Sequence, residues 1–532
     1  MKLGKRSLII VVVALAAALA LIGTVSAGGP ATRTSGAGPA VAAAVTPIPW
    51  AAKTVLPEYI GAPVKARPLP VAHVPQDPFL APNPFSYVHN DAWASDVYDI
   101  AGPLGHDPVV LSTTLAEARR NPGSPVFGCS GDVFDSHGRL ILSCTGPREW
   151  SLVMVDPVTL EVLTYMYLPF PADQASSWST AYLYLDNNDR VVMPVVDGDT
   201  VKIMVVQTVE SAGELQFDVV REYDISSYIG PDDNINGLLA DWHGRIWFVV
   251  RAAATVGVLD PATGSIKTLK LEGSITNGFS MDRDAAYIDT TAKMYRVEAG
   301  PDGAPHMVWG EGYENVGFKK PGQLSAGSGT TPTILGNGKY VAITDNAKQL
   351  HVVVYRTDKR LDPGEKRIVC EVPVFKEGFG ADENSLIGSG LSLVAYNAYG
   401  NDFEKLFVPP LQPQRNEPGV ARVDIDPNGR GCTKVWENDS ITVTDETHKL
   451  STKTGLVYAI GRKWDPTFKY PNGDDLDVYY FTALDFRTGE IVWEQLLGTG
   501  FNYDGFENVL IGPTETAYIS QYGGLISIVD SD

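Results

Sequence analysis

Apolar and polar positions along this chain alternate in short runs that stop at turn residues. From Phe127 onward one pattern recurs: an apolar strand ends in a tight polar turn and a second strand follows at once. The turns are Asp135-Ser136-His137-Gly138, Asp186-Asn187-Asn188-Asp189, Asp241-Trp242-His243-Gly244, Asp282-Arg283-Asp284, Gly336-Asn337-Gly338, Gly388-Ser389-Gly390, Thr452-Lys453-Thr454-Gly455 and Gly512-Pro513-Thr514. They lie roughly 40 to 65 residues apart, a period that suits one four-stranded propeller blade per repeat. A second kind of hairpin recurs between them. Its clearest copy is Tyr480–Trp493, and weaker ones are Val153–Leu168, Val256–Leu271 and Ala421–Trp436. No long amphipathic helix is apparent; Leu115–Arg120 makes at most a short one.

These repeats predict an all-β chain, a single β-propeller of about eight four-stranded blades over residues 76–532. Seven blades is the alternative, if one turn does not belong to a blade. The last repeat, Glu507–Val529, runs out after three strands. Closure of the ring by an N-terminal strand, Val109–Thr114 or Val97–Ile100, would complete it and leave no free sheet edge. A string of β-sandwiches fits less well, because the repeats show no linkers.

The N-terminus has a different pattern. Lys2, Lys5 and Arg6 precede an apolar run at Leu8–Ile22, and Val25-Ser26-Ala27 has the small residues of a cleavage site. Residues 1–27 are therefore expected to be a signal peptide, with an uncleaved N-terminal anchor as the alternative. Residues 28–75, rich in Ala, Pro and Gly, read as a tether. No later run is long enough to span a membrane. The expected location is outside the cytoplasm: secreted, periplasmic or at the cell surface. Four cysteines suit that compartment, with disulfides expected between Cys129 and Cys144 and between Cys370 and Cys432. A formal net charge of −21 argues against nucleic acid as partner, because phosphate binding needs clustered Lys and Arg.

The hairpin at Ala483, Asp485, Thr488, Gly489 and Trp493 resembles the A-x-D-x-x-T-G-x-x-x-W repeat of quinoprotein-like, PQQ-type β-propellers. Asp260 with Gly264, and Asp156, match in part. The resemblance implies the propeller fold over most of residues 127–532. The enzymes of that family hold pyrroloquinoline quinone with calcium against an adjacent-cysteine disulfide. This chain has no adjacent cysteines and lacks the regular tryptophans, so PQQ is not expected. No motif for haem or a nucleotide is present either.

A propeller gathers the residues at the start of each innermost strand around one channel. Those positions are Ser130 and Asp132, Ser179, Asn236, Asn277, Thr330 and Thr331, Glu383-Asn384-Ser385, Glu446-Thr447-His448 and Glu507-Asn508. Glu383, Asn384, Glu507, Asn508, Asn236 and Asn277 offer the oxygens that a hard cation takes, six to eight at about 2.3–2.6 Å for calcium. In residue type and inferred position the set is similar to calcium-dependent lactonase and gluconolactonase propellers. That similarity implies a central calcium acting on an ester carbonyl, with His448 or Glu446 as general base. Carboxylates crowded without a metal would raise one another's pKa and do acid–base work directly. Polar strand starts also have a plain structural use, since they satisfy backbone groups that the ladder leaves open. His89-Asn90-Asp91 and Trp93 are placed to cap one mouth of the channel. Two function classes follow: an enzyme acting on a small ester, lactone or sugar derivative by hydrolysis or isomerisation, and a non-catalytic propeller that binds an extracellular protein or glycan.

Overall fold

The computed structural model describes residues 54–531 except 123–126, 147, 170–181, 231–232, 234, 276, 402–414, 471–472, 501–507 and 522. The expected signal peptide therefore lies outside the described residues, as do Ser179 and Glu507. Among the described residues the strands form eight sheets, seven of them four-stranded, and all strand pairs are antiparallel except Val97–Tyr98, which runs parallel to Leu450 and Ser451. We number them as blades 1 to 8. Their innermost strands are Gly128–Phe134, Tyr184–Leu185, Ile235–Ala240, Ser280–Met281, Thr333–Leu335, Ile387–Ser389, Lys449–Ser451 and Val509–Ile511. Each of the eight turns read from the sequence joins the first and second strand of its blade. Leu115–Arg120 contains one short 3-10 turn, Ala116–Ala118.

Local chemistry explains why these turns recur. In blades 1, 2 and 3 the turn aspartate accepts two backbone N–H groups with one oxygen: His137 and Arg139 on Asp135, Asn188 and Arg190 on Asp186, His243 and Arg245 on Asp241. Its other oxygen accepts Nε of the arginine four residues on, at 2.6, 2.7 and 2.6 Å. The outer hairpins use the same device. Asp485 accepts N–H from Arg487 and Thr488, and Gly489, at φ 74°, closes the turn onto the Asp485 carbonyl. The D-x-x-T-G residues are thus turn residues, and Trp493, fully buried, pairs with Ala483 across the hairpin.

Blade 8 takes its outer strand from the N-terminal side: Val109–Thr113 pairs antiparallel with Gly524–Val529, Val109 opposite Val529. Blade 7 is the enlarged sheet, with seven strands. Tyr59–Gly61 is added to its outer edge, along Ile491–Thr499, and Arg67 and Leu69 donate backbone N–H groups to Thr454 and Thr452. The later part of the stretch that composition marks as tether is therefore docked on the propeller. Both expected disulfides are present. Cys129–Cys144 links facing residues of the two inner strands of blade 1, and Cys370–Cys432 joins the outer strands of blades 5 and 6. They fit an extracellular protein. Among the described residues no helix is long and apolar enough to cross a membrane.

Inside the ring runs a further segment, from about Asp77 to Ile100. Its carbonyls accept N–H groups from the inner strands one after another: Phe85 from Phe134, Ser86 from Leu185, Ala92 from Met281, Trp93 from Ile334, Ser95 from Gly388 and Asp96 from Leu450, and Tyr98 accepts from Thr452 in the turn of blade 7. These contacts reach blades 1, 2, 4, 5, 6 and 7. One charged contact ties plug to ring. Lys449 Nζ, fully buried, donates to the Val88 carbonyl at 2.7 Å and to Asp96. Ser385 donates to the other Asp96 oxygen, and His89 Nδ1 lies 2.9 Å from Ser385 Oγ. Burial pushes the Asp96 carboxyl up, but Lys449 and His89 outweigh it and hold it below the usual carboxylate range.

Removing one member of such a pair leaves the other charge buried and uncompensated. Lys449→Met is expected to cost about 3–5 kcal/mol in denaturant unfolding, and Lys449→Met with Asp96→Leu to recover most of the loss. Equal stability of the parent and the single variant would show that the pair does not hold the plug.

Candidate functional site

Each inner strand starts at one end of the channel, and the plug occupies the part beyond. The residues at that end come from loops entering successive blades. Entering blade 6, Asp382, Glu383, Asn384 and Ser385 are all buried; entering blade 7, so are Asp445, Glu446, Thr447 and His448. The two groups meet where Asn384 Nδ2 donates to Asp445 Oδ1 at 3.0 Å. Asn277, entering blade 4, donates Nδ2 to the carbonyls of Gly329 and Glu383 at 2.5 and 2.6 Å, and accepts from the Tyr182 hydroxyl. Gly329 has to be glycine: at φ 78°, a Cβ there would lie 2.6 Å from Glu383 Oε2. On the far side, Ser520 Oγ donates to Asp132 at 2.5 Å, with Asn508 beside them, and Asn508 is held next to Thr447 by a parallel bridge.

Among the described residues, most carboxyl oxygens of these acids lack partners, although Asp382, Asp445 and Asp132 each have one oxygen bonded. Neither oxygen of Glu383 or Glu446 has a partner within hydrogen-bonding geometry, nor do Asp382 Oδ2, Asp445 Oδ2, Asp132 Oδ1 or His448 Nε2. An ionised carboxylate is costly under such conditions, so protonation is favoured. Burial pushes Asp445 up to about 8, against hydrogen bonds from Asn384 and Asn401. It pushes Asp132 up to about 7, against Ser520, Asn508 and the Lys449 charge. Asp382 and Glu383 rise well above the usual range through burial and the neighbouring Asp445. Glu446 rises through burial, with Thr444 and Arg462 opposing. The His448 imidazole, 4.2 Å from the Tyr396 ring, is pushed down to about 3 by burial and is neutral at pH 7. At neutral pH the cluster therefore holds carboxylic acids able to donate a proton and a neutral imidazole.

Of the residues expected at the channel, Asp132, Asn236, Asn277, Thr330, Thr331, Glu383, Asn384, Ser385, Glu446, Thr447, His448 and Asn508 are all buried at this end; Ser130 lies with them on the inner strand of blade 1. Asn384 and Asp445 join blades 6 and 7, while Asn236 and Asn277 stand on blades 3 and 4. Asn277 spends its amide on backbone carbonyls and Tyr182. Among the described residues no three or more His, Cys, Asp or Glu side chains are grouped to hold a metal ion. Sequence reasoning missed Asp382 and Asp445, each one position before a named residue. It also missed Lys449, which reads as an ordinary strand residue, and Tyr182 and Tyr396.

The fold is an eight-bladed β-propeller whose channel is plugged by its own N-terminal segment and lined by buried acids at one end. No protein-family model and no curated protein matches the chain. Among solved structures it is similar to virginiamycin B lyase from Staphylococcus aureus, at 12% identity and a TM-score of 0.38, over 66% of this chain and 94% of that one. It is also similar to the β-propeller domain of Cps50 (Swd1) from Myceliophteria thermophila, at 10% identity and a TM-score of 0.37, over 76% of this chain and 100% of that one. Such likenesses concern the fold alone.

The raised acids have a consequence for stability. Asp445 binds its proton more tightly in the folded state, so its contribution is complete below the unfolded pKa, near 4, and is lost as pH rises through about 8. Melting temperature is expected to fall over that window in the parent and to fall less in Asp445→Asn. Parallel curves for the two proteins would contradict the assignment.

Proposed function

We propose that the acid-lined end of the channel is the active site of an enzyme acting outside the cytoplasm on a small organic ester, lactone or sugar derivative. The reaction class is hydrolysis or isomerisation. The carrying observation is the meeting of Asp382-Glu383 from blade 6 with Asp445-Glu446 from blade 7, most of whose carboxyl oxygens have no protein partner. Unpartnered buried polar atoms are costly unless something else satisfies them, and a polar substrate would. Glu446 or Glu383, protonated, would donate to a leaving or carbonyl oxygen. His448, neutral and two residues from Glu446, would take the proton from water or from a carbon next to a carbonyl. Raised acids beside a lowered base are the arrangement that lets both act at one pH.

Calcium is a second reading, favoured by the two free oxygens of Glu383 next to Asn384. Glu383, Asn384, Asn508, Asn236, Asn277 and Glu507 would be its ligands, and the ion would supply Lewis-acid polarisation of a carbonyl. No described group of three acids or histidines is gathered for it, so the acid–base reading does not depend on it.

The test is a screen of esters and lactones with the purified protein, alongside its metal content. Glu383→Gln and Glu446→Gln are near-isosteric with the protonated acids and are expected to fold, while lowering kcat by about 10²-fold or more. Lys348→Ala, in an exposed pair with Glu377, is the neutral control. Stoichiometric calcium lost together with activity in Glu383→Gln would favour the second reading. No turnover by the parent, with capture of a protein or glycan through the outer loops, would replace both readings by a binding propeller.

A further inference from the structure

On the same end of the propeller an open groove of about 820 Å³ runs over blades 3 to 5 and is lined by loops between their strands. Among the described residues its one basic side chain is Arg251, half-buried at the end of the second strand of blade 3. The loop that carries it is fixed. Asp233 accepts the backbone N–H groups of Ala252 and Ala253, both at 2.7 Å, and the Arg251 carbonyl accepts from Ala254 and Ile275. Arg251 itself donates only a weak bond to a carbonyl, Nη2 to Leu324 O at 3.3 Å, and has no ion-pair partner among the described residues. That is unusual in a chain of net charge −21. Ser325 also lines the groove, and its Oγ is buried with no partner among the described residues.

The groove adjoins the buried acids. Leu324, on its wall, turns its backbone N–H toward the Glu383 carboxyl, and the Arg251 charge acts on the same group from beyond ion-pair distance. A ligand carboxylate on Arg251 would thus leave the rest of the molecule against the Leu324–Ala326 wall, next to the buried Glu383. One guanidinium offers a planar fork suited to a single carboxylate. Among the described residues no second cation lines the groove to balance a phosphate dianion. The volume lies in the range of ordinary small-molecule sites and exceeds one sugar ring.

From this placement we infer that the groove binds a sugar acid of one to three rings, with its carboxylate on Arg251 and its hydroxyls on the polar wall. The inference rests on the proposed active site for the role of the bound molecule, and not for its binding. The ligand's carboxylate displaces the weak bond to Leu324 and gains a charge-assisted one.

Calorimetric titration with galacturonate and its dimer, with galactose and inorganic phosphate as comparisons, tests it. The parent is expected to bind the dimer and not galactose. Arg251→Gln is expected to weaken binding about tenfold or more, and Arg251→Lys to weaken it less, with melting temperatures unchanged. Binding of the dimer unchanged in Arg251→Gln, galactose bound as tightly as galacturonate, or phosphate bound in preference would each overturn the inference. Glu383→Gln separates the two proposals. Arg251-dependent binding without turnover of any uronate ester or lactone sinks the active site and leaves the groove. Turnover of neutral lactones that is lost in Glu383→Gln and indifferent to Arg251 does the reverse.

Discussion

The contact on which the rest of the molecule depends is the buried pair of Lys449 and Asp96. It joins the inner strand of blade 7 to a segment that arrives from the N-terminal side. Neither side chain touches solvent, and burying two charges costs several kcal/mol for each ion before their attraction is counted. The cost is offset only because the surrounding groups are in place. Val88 offers its carbonyl to the ammonium, and Ser385 and His89 turn toward the carboxylate. Blades 6 and 7 and the plug must therefore be assembled together for any of them to be satisfied. The pair sets register as much as it adds stability.

With the plug in place, the channel is divided. One part is filled by backbone that hydrogen-bonds to six of the eight inner strands. The other end is left with acids most of whose oxygens meet no donor among the described residues. The division explains an otherwise costly arrangement. Lys449 compensates Asp96 and reaches Asp132 electrostatically, but it does not neutralise Asp382, Glu383, Asp445 or Glu446, and these rise toward the protonated form. A buried acid kept neutral near pH 7 can donate a proton, while burial keeps the His448 imidazole neutral. Gly329 and Asn277, which position Glu383 through its backbone, show that the loop around this carboxyl is tightly specified.

The candidate site was legible in part. Position at the start of an inner strand was enough to pick out Glu383, Asn384, Glu446, His448 and Asn508, because the blade period tells which residues face the channel. It did not separate residues that spend their polar atoms on backbone, such as Asn277, from those that keep them free, such as Glu383. Asp382 and Asp445 were passed over because a strand start was assigned to one residue, whereas the entering loop brings neighbours inward as well. Arg251 gave no signal at all: it follows an apolar strand, and only the packing of the loops of blades 3 to 5 places it near Glu383.

By itself the sequence determined the blades. Turn aspartates bond to N–H groups two to four residues away, glycines supply the left-handed positions, and alternation sets which face is buried; all of these act within a few residues. Its cysteine positions also announced both disulfides. Tertiary structure alone decided that the stretch before the repeats enters the ring, that Tyr59–Gly61 docks on blade 7, and which carboxyl oxygens are left without partners among the described residues. The reason is range. Asp96 and Lys449 are separated by 353 residues, and nothing in the chemistry of either neighbourhood records that the other exists.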